Sequence, residues 1–291
     1  MHADVQELNQ NRDWCVQWLP TLAQSYSKKE ESKVWFILPD TKEVELCKEE
    51  WKGGRYRQSA VFTSIEAVAE HYYSDGNNDN DKEGYSKPWG SSIANAVNKL
   101  VKGGGNKDGE EGGSMSTGLL GDEKALDSLT DDKASLHLVC QPGNGGPVED
   151  WINVKKFHEK SAAKSSADDS TSTSTTTIIV NGALDKVRDG YYASFIFPAL
   201  AKTFDFYRGF EHVLFLKPLS DKGLYGWLFK VYGEPWQLFL QKPSTVTKGG
   251  VTSIEVEDIV ALVSEDKKPT YQECIQALLT CNANANAAAA K

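Results

Sequence analysis

The chain has 291 residues, 40% of them hydrophobic and 25% charged, and 41 acidic side chains outnumber 32 basic ones to give a formal charge of −9. This is a globular composition, long enough for one large domain or two small ones. The acidic balance argues against a nucleic-acid binder, which carries a basic surface, and against simple adsorption to an anionic lipid surface.

Asp13 to Leu19 reads as a helix that Pro20 interrupts or restarts, with Trp14 and Trp18 one turn apart on the expected buried side. Lys33 to Leu38 is a compact apolar strand stopped by Pro39-Asp40. Thr41 to Trp51 follows as a helix with Val44, Cys47 and Trp51 inward, ended by Gly53-Gly54. A short strand is expected from Gln58 to Thr63, then a helix from Ser64 to Tyr72 with Ser64 as its cap. Asp75 to Lys87 is rich in Asn, Asp and Gly, and Lys102 to Thr117 in glycine and charge. Residues 74–133 therefore read as an insertion over the surface. Ser135 to Cys140 is the next strand, Gln141 to Gly146 a loop, and Pro147 to Lys160 a helix with Val148, Trp151, Ile152 and Phe157 toward the core. A Ser/Thr-rich loop spans residues 165–177 and runs into a strand at Thr176 to Val180. Leu184 to Tyr207 is a helical region that Pro198 kinks or restarts.

Phe210 to Gln241 is the most apolar stretch. Val213 to Leu216 is a continuous apolar run, the pattern of a strand covered on both faces. Ser220-Asp221-Lys222-Gly223 turns the chain, and alternation begins at Leu224. Tyr225, Trp227, Phe229 and Val231 share one face; Leu224, Gly226, Leu228 and Lys230 share the other. After the Gly233-Glu234-Pro235 turn, Trp236, Leu238 and Leu240 point one way and Gln237 and Gln241 the other. Thr252 to Val263 is one more strand or a short helix, Pro269 to Leu279 a closing helix, and residues 281–291 a low-complexity tail. The alternation of strands and helices implies an α/β fold, a mostly parallel sheet flanked by helices and extended by a C-terminal antiparallel three-strand meander. One domain over residues 12–280 is expected, because strands lie on both sides of each spacer.

The five cysteines are odd in number and form no CxxC pair, so neither a disulfide framework nor a zinc site is suggested. Cys140 and Cys274 fit buried apolar positions in a reducing compartment. The five histidines are scattered without an HxxxH pair, and no Gly-x-Ser-x-Gly elbow occurs. No stretch is apolar enough for a transmembrane helix, and the first residues resemble neither a signal nor a transit peptide. The loop from Cys140 to Pro147 leaves a strand and enters a helix, which is where an α/β sheet holds phosphate, through Gly143, Gly145 and Gly146. It lacks Walker A spacing, and Glu149 and Asp150 put two carboxylates in the first helical turn, so an ordinary tight turn is the alternative. Asp40, after the first strand, is either a functional acid at the sheet's carboxyl edge or a helix cap. Tyr85 and Trp89, in a polar insertion, suit a protein partner or docking on the chain's own domain. No catalytic set and no cofactor is expected.

Leu38-Pro39-Asp40, Phe210-Glu211-His212-Val213 with Leu219, Gly226-Trp227-Leu228-Phe229, Gly233-Glu234-Pro235-Trp236-Gln237 and Lys268-Pro269-Thr270-Tyr271 carry a resemblance over Val34 to Leu279. These segments resemble a plant, algal and cyanobacterial domain-of-unknown-function family that includes a low photosystem II accumulation factor, which assists photosystem II assembly. The family pattern usually has an Arg and a Tyr-Pro near residues 230–233, where this chain reads Lys230-Val231-Tyr232-Gly233. The resemblance implies a plastid protein in the stroma or at the stromal face of the thylakoid, without agreed catalytic residues. The expectation is a non-enzymatic protein that binds a thylakoid complex as assembly factor or accessory subunit. The alternative is a soluble α/β enzyme or nucleotide-binding protein using the Gly143 to Gly146 loop.

Overall fold

The computed structural model describes residues 8–26, 33–74, 129, 134–143, 148–167, 175–188, 190–221, 223–248, 251–265 and 267–289. The chain forms two compact units, residues 1–209 and 210–291. The boundary falls at the start of the apolar meander.

In the first unit, β1 (Lys33–Leu38), β2 (Ala60–Ser64), β3 (Ala134–Cys140) and β4 (Thr176–Val180) form a parallel sheet in the order β2-β1-β3-β4. Its central strands are mostly apolar because helices cover both faces, with His137 of β3 a buried exception. On one face Val34, Phe36, Leu38, Phe62, Leu136, Leu138 and Cys140 pack under α1 (Leu8–Tyr26) and α2 (Thr41–Glu50), which supply Cys15, Val16, Leu19, Val44 and Cys47. On the other face Trp35 meets His71 and Tyr72 of α4 (Ile65–Ser74), and His137 meets Phe157 of α5 (Glu149–Ala167). Between α2 and β2 lies the short helix α3 (Gly54–Ser59). The expected cap of α4 forms: the Ala67 amide donates to Ser64 Oγ at 3.2 Å.

Two local expectations change. Pro20 sits inside α1 without ending it, and the buried residues of α1 are Asn11, Arg12, Cys15, Val16 and Leu19. Trp14 and Trp18 are about half exposed and pack on each other at 5.9 Å. Both sets fit a helical spacing; Cys15, Val16 and Leu19 are the ones that join the core over the sheet. The region from Leu184 to Tyr207 breaks into three short helices, α6 (Leu184–Arg188), α7 (Pro198–Ala201) and α8 (Phe204–Arg208), with Pro198 at the first position of α7.

In the second unit, β5 (Leu214–Asp221), β6 (Leu224–Val231), β7 (Trp236–Lys248) and β8 (Val251–Ser264) form an antiparallel sheet in sequence order. The meander thus gains a fourth strand and forms a sheet of its own. Gly223 and Gly233 make the first two turns with φ of 79° and 83°. Helix α9 (Tyr271–Ala289) starts with a capping box, in which the Glu273 amide donates to Thr270 Oγ1 (3.2 Å) and Thr270 N donates to Glu273 Oε2 (2.7 Å). It runs through the residues expected to be a tail, because alanine favours helix and Lys242 Nζ donates to Asn286 Oδ1 at 3.0 Å. Cys274, Ile275 and Leu278 of α9 cover Leu219, Leu228, Trp236, Leu238 and Leu240. The core face of β6 is therefore the Gly226-Leu228 face and not the aromatic one, and β5 is exposed at Leu214 and Leu216, not covered on both faces.

Candidate functional site

β1 and β3 are neighbours, yet the helices that follow them, α2 and α5, lie on opposite faces of the sheet. The carboxyl ends of these two strands are thus the switch point at which open α/β sheets bind ligands. Asp40 follows β1, and the loop containing Gly143 follows β3. Asp40 has an extended backbone and its Oδ1 accepts from the Glu43 amide at 2.9 Å, so its side chain caps α2. Gly143 takes a φ of 74°, and its amide donates to Asp150 Oδ2 at 2.8 Å. A Cβ at Gly143 would lie 2.5 Å from Trp151 Nε1, and one at Gly182 would lie 2.8 Å from Cη2 of the same ring. The Trp151 side chain is therefore wedged between the loops that follow β3 and β4. Its carbonyl accepts from the Tyr207 hydroxyl, and the two rings meet edge-on at 5.1 Å.

The sequence reading takes Asp150 as a partner of the helix dipole. The structure turns it back onto the loop, where it accepts from the Gly143 amide as in an ordinary tight turn and not as part of an anion site. Burial pushes its carboxyl up to about 7, against the opposing effect of the Gly143 hydrogen bond, and Glu149, Asp40 and Glu66 add to the rise. Four carboxylates thus influence one loop end, and their field opposes a phosphate. Gly145, Gly146, Tyr85 and Trp89 lie outside the described residues.

A second polar group sits deeper. His137, in the middle of β3, is fully buried, and neither ring nitrogen has a hydrogen-bond partner among the described residues. Burial lowers its pKa to about 3, so it is neutral at ordinary pH. Aromatic rings surround it, with Trp35 at 5.5 Å, Phe157 at 5.1 Å and Tyr72 at 6.3 Å. Cys140 and Cys274 are buried free thiols, as their apolar settings imply. Among the described residues no group of three His, Cys, Asp or Glu is arranged to hold a metal ion. Nor is any described helix long and apolar enough to cross a membrane.

The second unit leaves open the face of its sheet opposite α9. Strand register aligns Leu216, Phe229, Gln237 and Val263 in one row, and Pro218, Trp227, Phe239 and Val260 in the next. Leu214 and Val231 flank these rows on one side; Ser220, Tyr225, Gln241 and Asp258 flank them on the other. Asp258 is the one formal charge in these four rows. Leu214, Leu216, Tyr225, Val260 and Val263 are all exposed. Sequence alternation separates the two faces of this sheet, but only the docking of α9 shows which one stays open.

No curated protein and no solved structure matches the chain. The profile of one family, described as a domain of unknown function (DUF1995), matches residues 4–276, and the chain belongs to that family.

Proposed function

We propose that the chain is a non-catalytic protein that binds a thylakoid photosynthetic complex, foremost a photosystem, as assembly factor or accessory subunit. Its place is the plastid stroma or the stromal face of the thylakoid. The open apolar face of the second unit carries the protein-binding part of this reading. Soluble monomers rarely expose contiguous apolar patches beyond a few hundred Å², and larger ones mark contact sites. The patch is rich in aromatic side chains and nearly free of charge, which is the composition of an interface core. The choice of partner rests on the resemblance of Gly226 to Phe229, Gly233 to Gln237 and their companion segments to the family that includes the photosystem II accumulation factor.

The competing reading, a nucleotide-binding protein using the Gly143 to Gly146 loop, has less support. The Gly143 amide already donates to Asp150, and Asp40 is engaged as a cap. Native separation of thylakoids in mild detergent, followed by detection of this chain, tests the proposal. Comigration with a photosystem is the expected result; presence only in immature complexes would identify an assembly factor. Recovery of the chain solely as an unbound species would overturn it.

A further inference from the structure

We infer that the loop between α6 and α7, residues 190–197, is a foot for a lipid surface, inserting its tip into the interfacial layer of a bilayer with anionic headgroups. The tip is a closed turn: the amides of Ile196 and Phe197 both donate to the Ala193 carbonyl at 3.0 Å. This turn pushes Phe195 outward to 85% exposure, the highest of any large apolar side chain described, with Ile196 beside it at 59%. Beneath it the half-buried rings of Tyr192 and Phe197 meet edge-on at 5.4 Å. Tyr191 packs on Tyr192 at 5.2 Å and remains 72% exposed. The backbone hydrogen bonds and the ring pair hold the tip in shape, so insertion costs little ordering entropy.

The side chains gathered in this loop are those a membrane interface selects. Phenylalanine and isoleucine protrude most, and an exposed tyrosine with one base beside it is the pairing that suits headgroups. Lys186 places its Nζ 5.7 Å from the Tyr191 ring centroid, and Lys202 is exposed at the end of α7. From Leu184 to Arg208 the chain has four bases, Lys186, Arg188, Lys202 and Arg208, against three acids, Asp185, Asp189 and Asp205. Arg208 pairs with Asp205 at 2.7 Å. The segment thus carries one net positive charge in a chain of net charge −9, and it lies where apolar side chains protrude. A convex tip of two large side chains is poorly covered by a flat protein surface, whereas a bilayer interface closes around it. The contact does not depend on which protein the open sheet face binds.

Cosedimentation of the full chain with vesicles tests the inference without any protein partner present. The probes are vesicles of phosphatidylcholine mixed with phosphatidylglycerol, and vesicles of phosphatidylcholine alone. The chain is expected to partition onto both and more strongly onto the anionic ones, with the difference shrinking as salt rises. The double variant Phe195→Ser/Ile196→Ser is expected to lose about tenfold or more in partitioning to either vesicle, with an unchanged thermal midpoint. Lys186→Glu/Lys202→Glu is expected to lose about tenfold on anionic vesicles alone. Failure of the full chain to partition, or partitioning of the tip variant like the wild type, would overturn the inference. So would a tip variant that still partitions onto vesicles but no longer associates with a membrane protein complex, since the loop would then be a protein contact.

Discussion

Burial pushes the Asp150 carboxyl up to about 7 and the His137 imidazole down to about 3, and the two shifts act on stability in opposite senses. Between its ordinary value of 3.8 and about 7, folded Asp150 keeps a proton that the unfolded chain has lost. Its contribution therefore falls as pH rises through that window, by on the order of 4 kcal/mol in all. Between about 3 and its ordinary 6.5, unfolded His137 holds a proton that the folded state excludes, so its contribution rises with pH by a similar amount. The slopes cancel where the windows overlap, and each is exposed by removing the other. Asp150→Asn keeps an oxygen for the Gly143 amide; its stability is expected to climb with pH from about 4 to 6.5. His137→Phe removes two ring nitrogens without hydrogen-bond partners among the described residues. Its stability is expected to fall as pH rises from about 4 to 7, and at pH near 5 it is expected to exceed the wild type. Urea unfolding across this range measures both, and variants that keep the wild-type profile would refute the burial argument. The strand-loop-helix around Gly143 was legible in sequence as a possible anion site. The capture of its amide by Asp150, seven residues on, was not, because spacing says nothing of which way a side chain turns.

Elements are held by contacts that periodicity does not display. Arg12 lies in the buried stripe of α1 and reaches Glu43 at 2.9 Å and Glu50 at 2.7 Å, both on α2. Its apolar neighbours in sequence made this stretch readable as a helix, but the fork to α2 depends on two helices meeting side by side over the sheet. Arg12→Ala leaves Glu43 largely buried without its cation, and a loss of about 3 kcal/mol is expected, measured by thermal or urea unfolding. Trp14 and Trp18 show the converse limit: large rings at i,i+4 spacing look like core, yet they are about half exposed. In the second unit the informative residue is Gly226. A Cβ there would lie 2.5 Å from the Phe239 carbonyl oxygen and 2.9 Å from a Leu278 methyl. Gly226→Val is therefore expected to strain the β6–β7 pairing and loosen Leu278 of α9, at a cost of about 1–3 kcal/mol. Amide exchange along Tyr271 to Leu278 should accelerate in this variant. Exchange confined to the wild-type rate would show that α9 docks elsewhere.

At the scale of the molecule, the α/β class followed from alternation of strands and helices, but the separation of the two sheets did not. A sheet with one aromatic face and one aliphatic face offers two candidate cores, and local pattern favours the larger side chains. Closure by α9 decides otherwise, placing Leu228, Leu238 and Leu240 inside and leaving Leu216, Tyr225 and Val260 in the open. The same sheet should then separate stability from binding. Leu238→Ala, at a fully buried position, is expected to lose about 2–5 kcal/mol. Leu216→Asp and Val260→Asp, one on each outer strand of the open face, should each cost only about 1 kcal/mol, less than Leu238→Ala, since both side chains are already about half exposed. If the open face docks on a thylakoid complex, these two substitutions bury an unpaired charge in the interface and abolish comigration, while the chain itself stays folded. Stable aspartate variants that still comigrate would move the contact off this face. Variants that unfold would show instead that the face is part of the core.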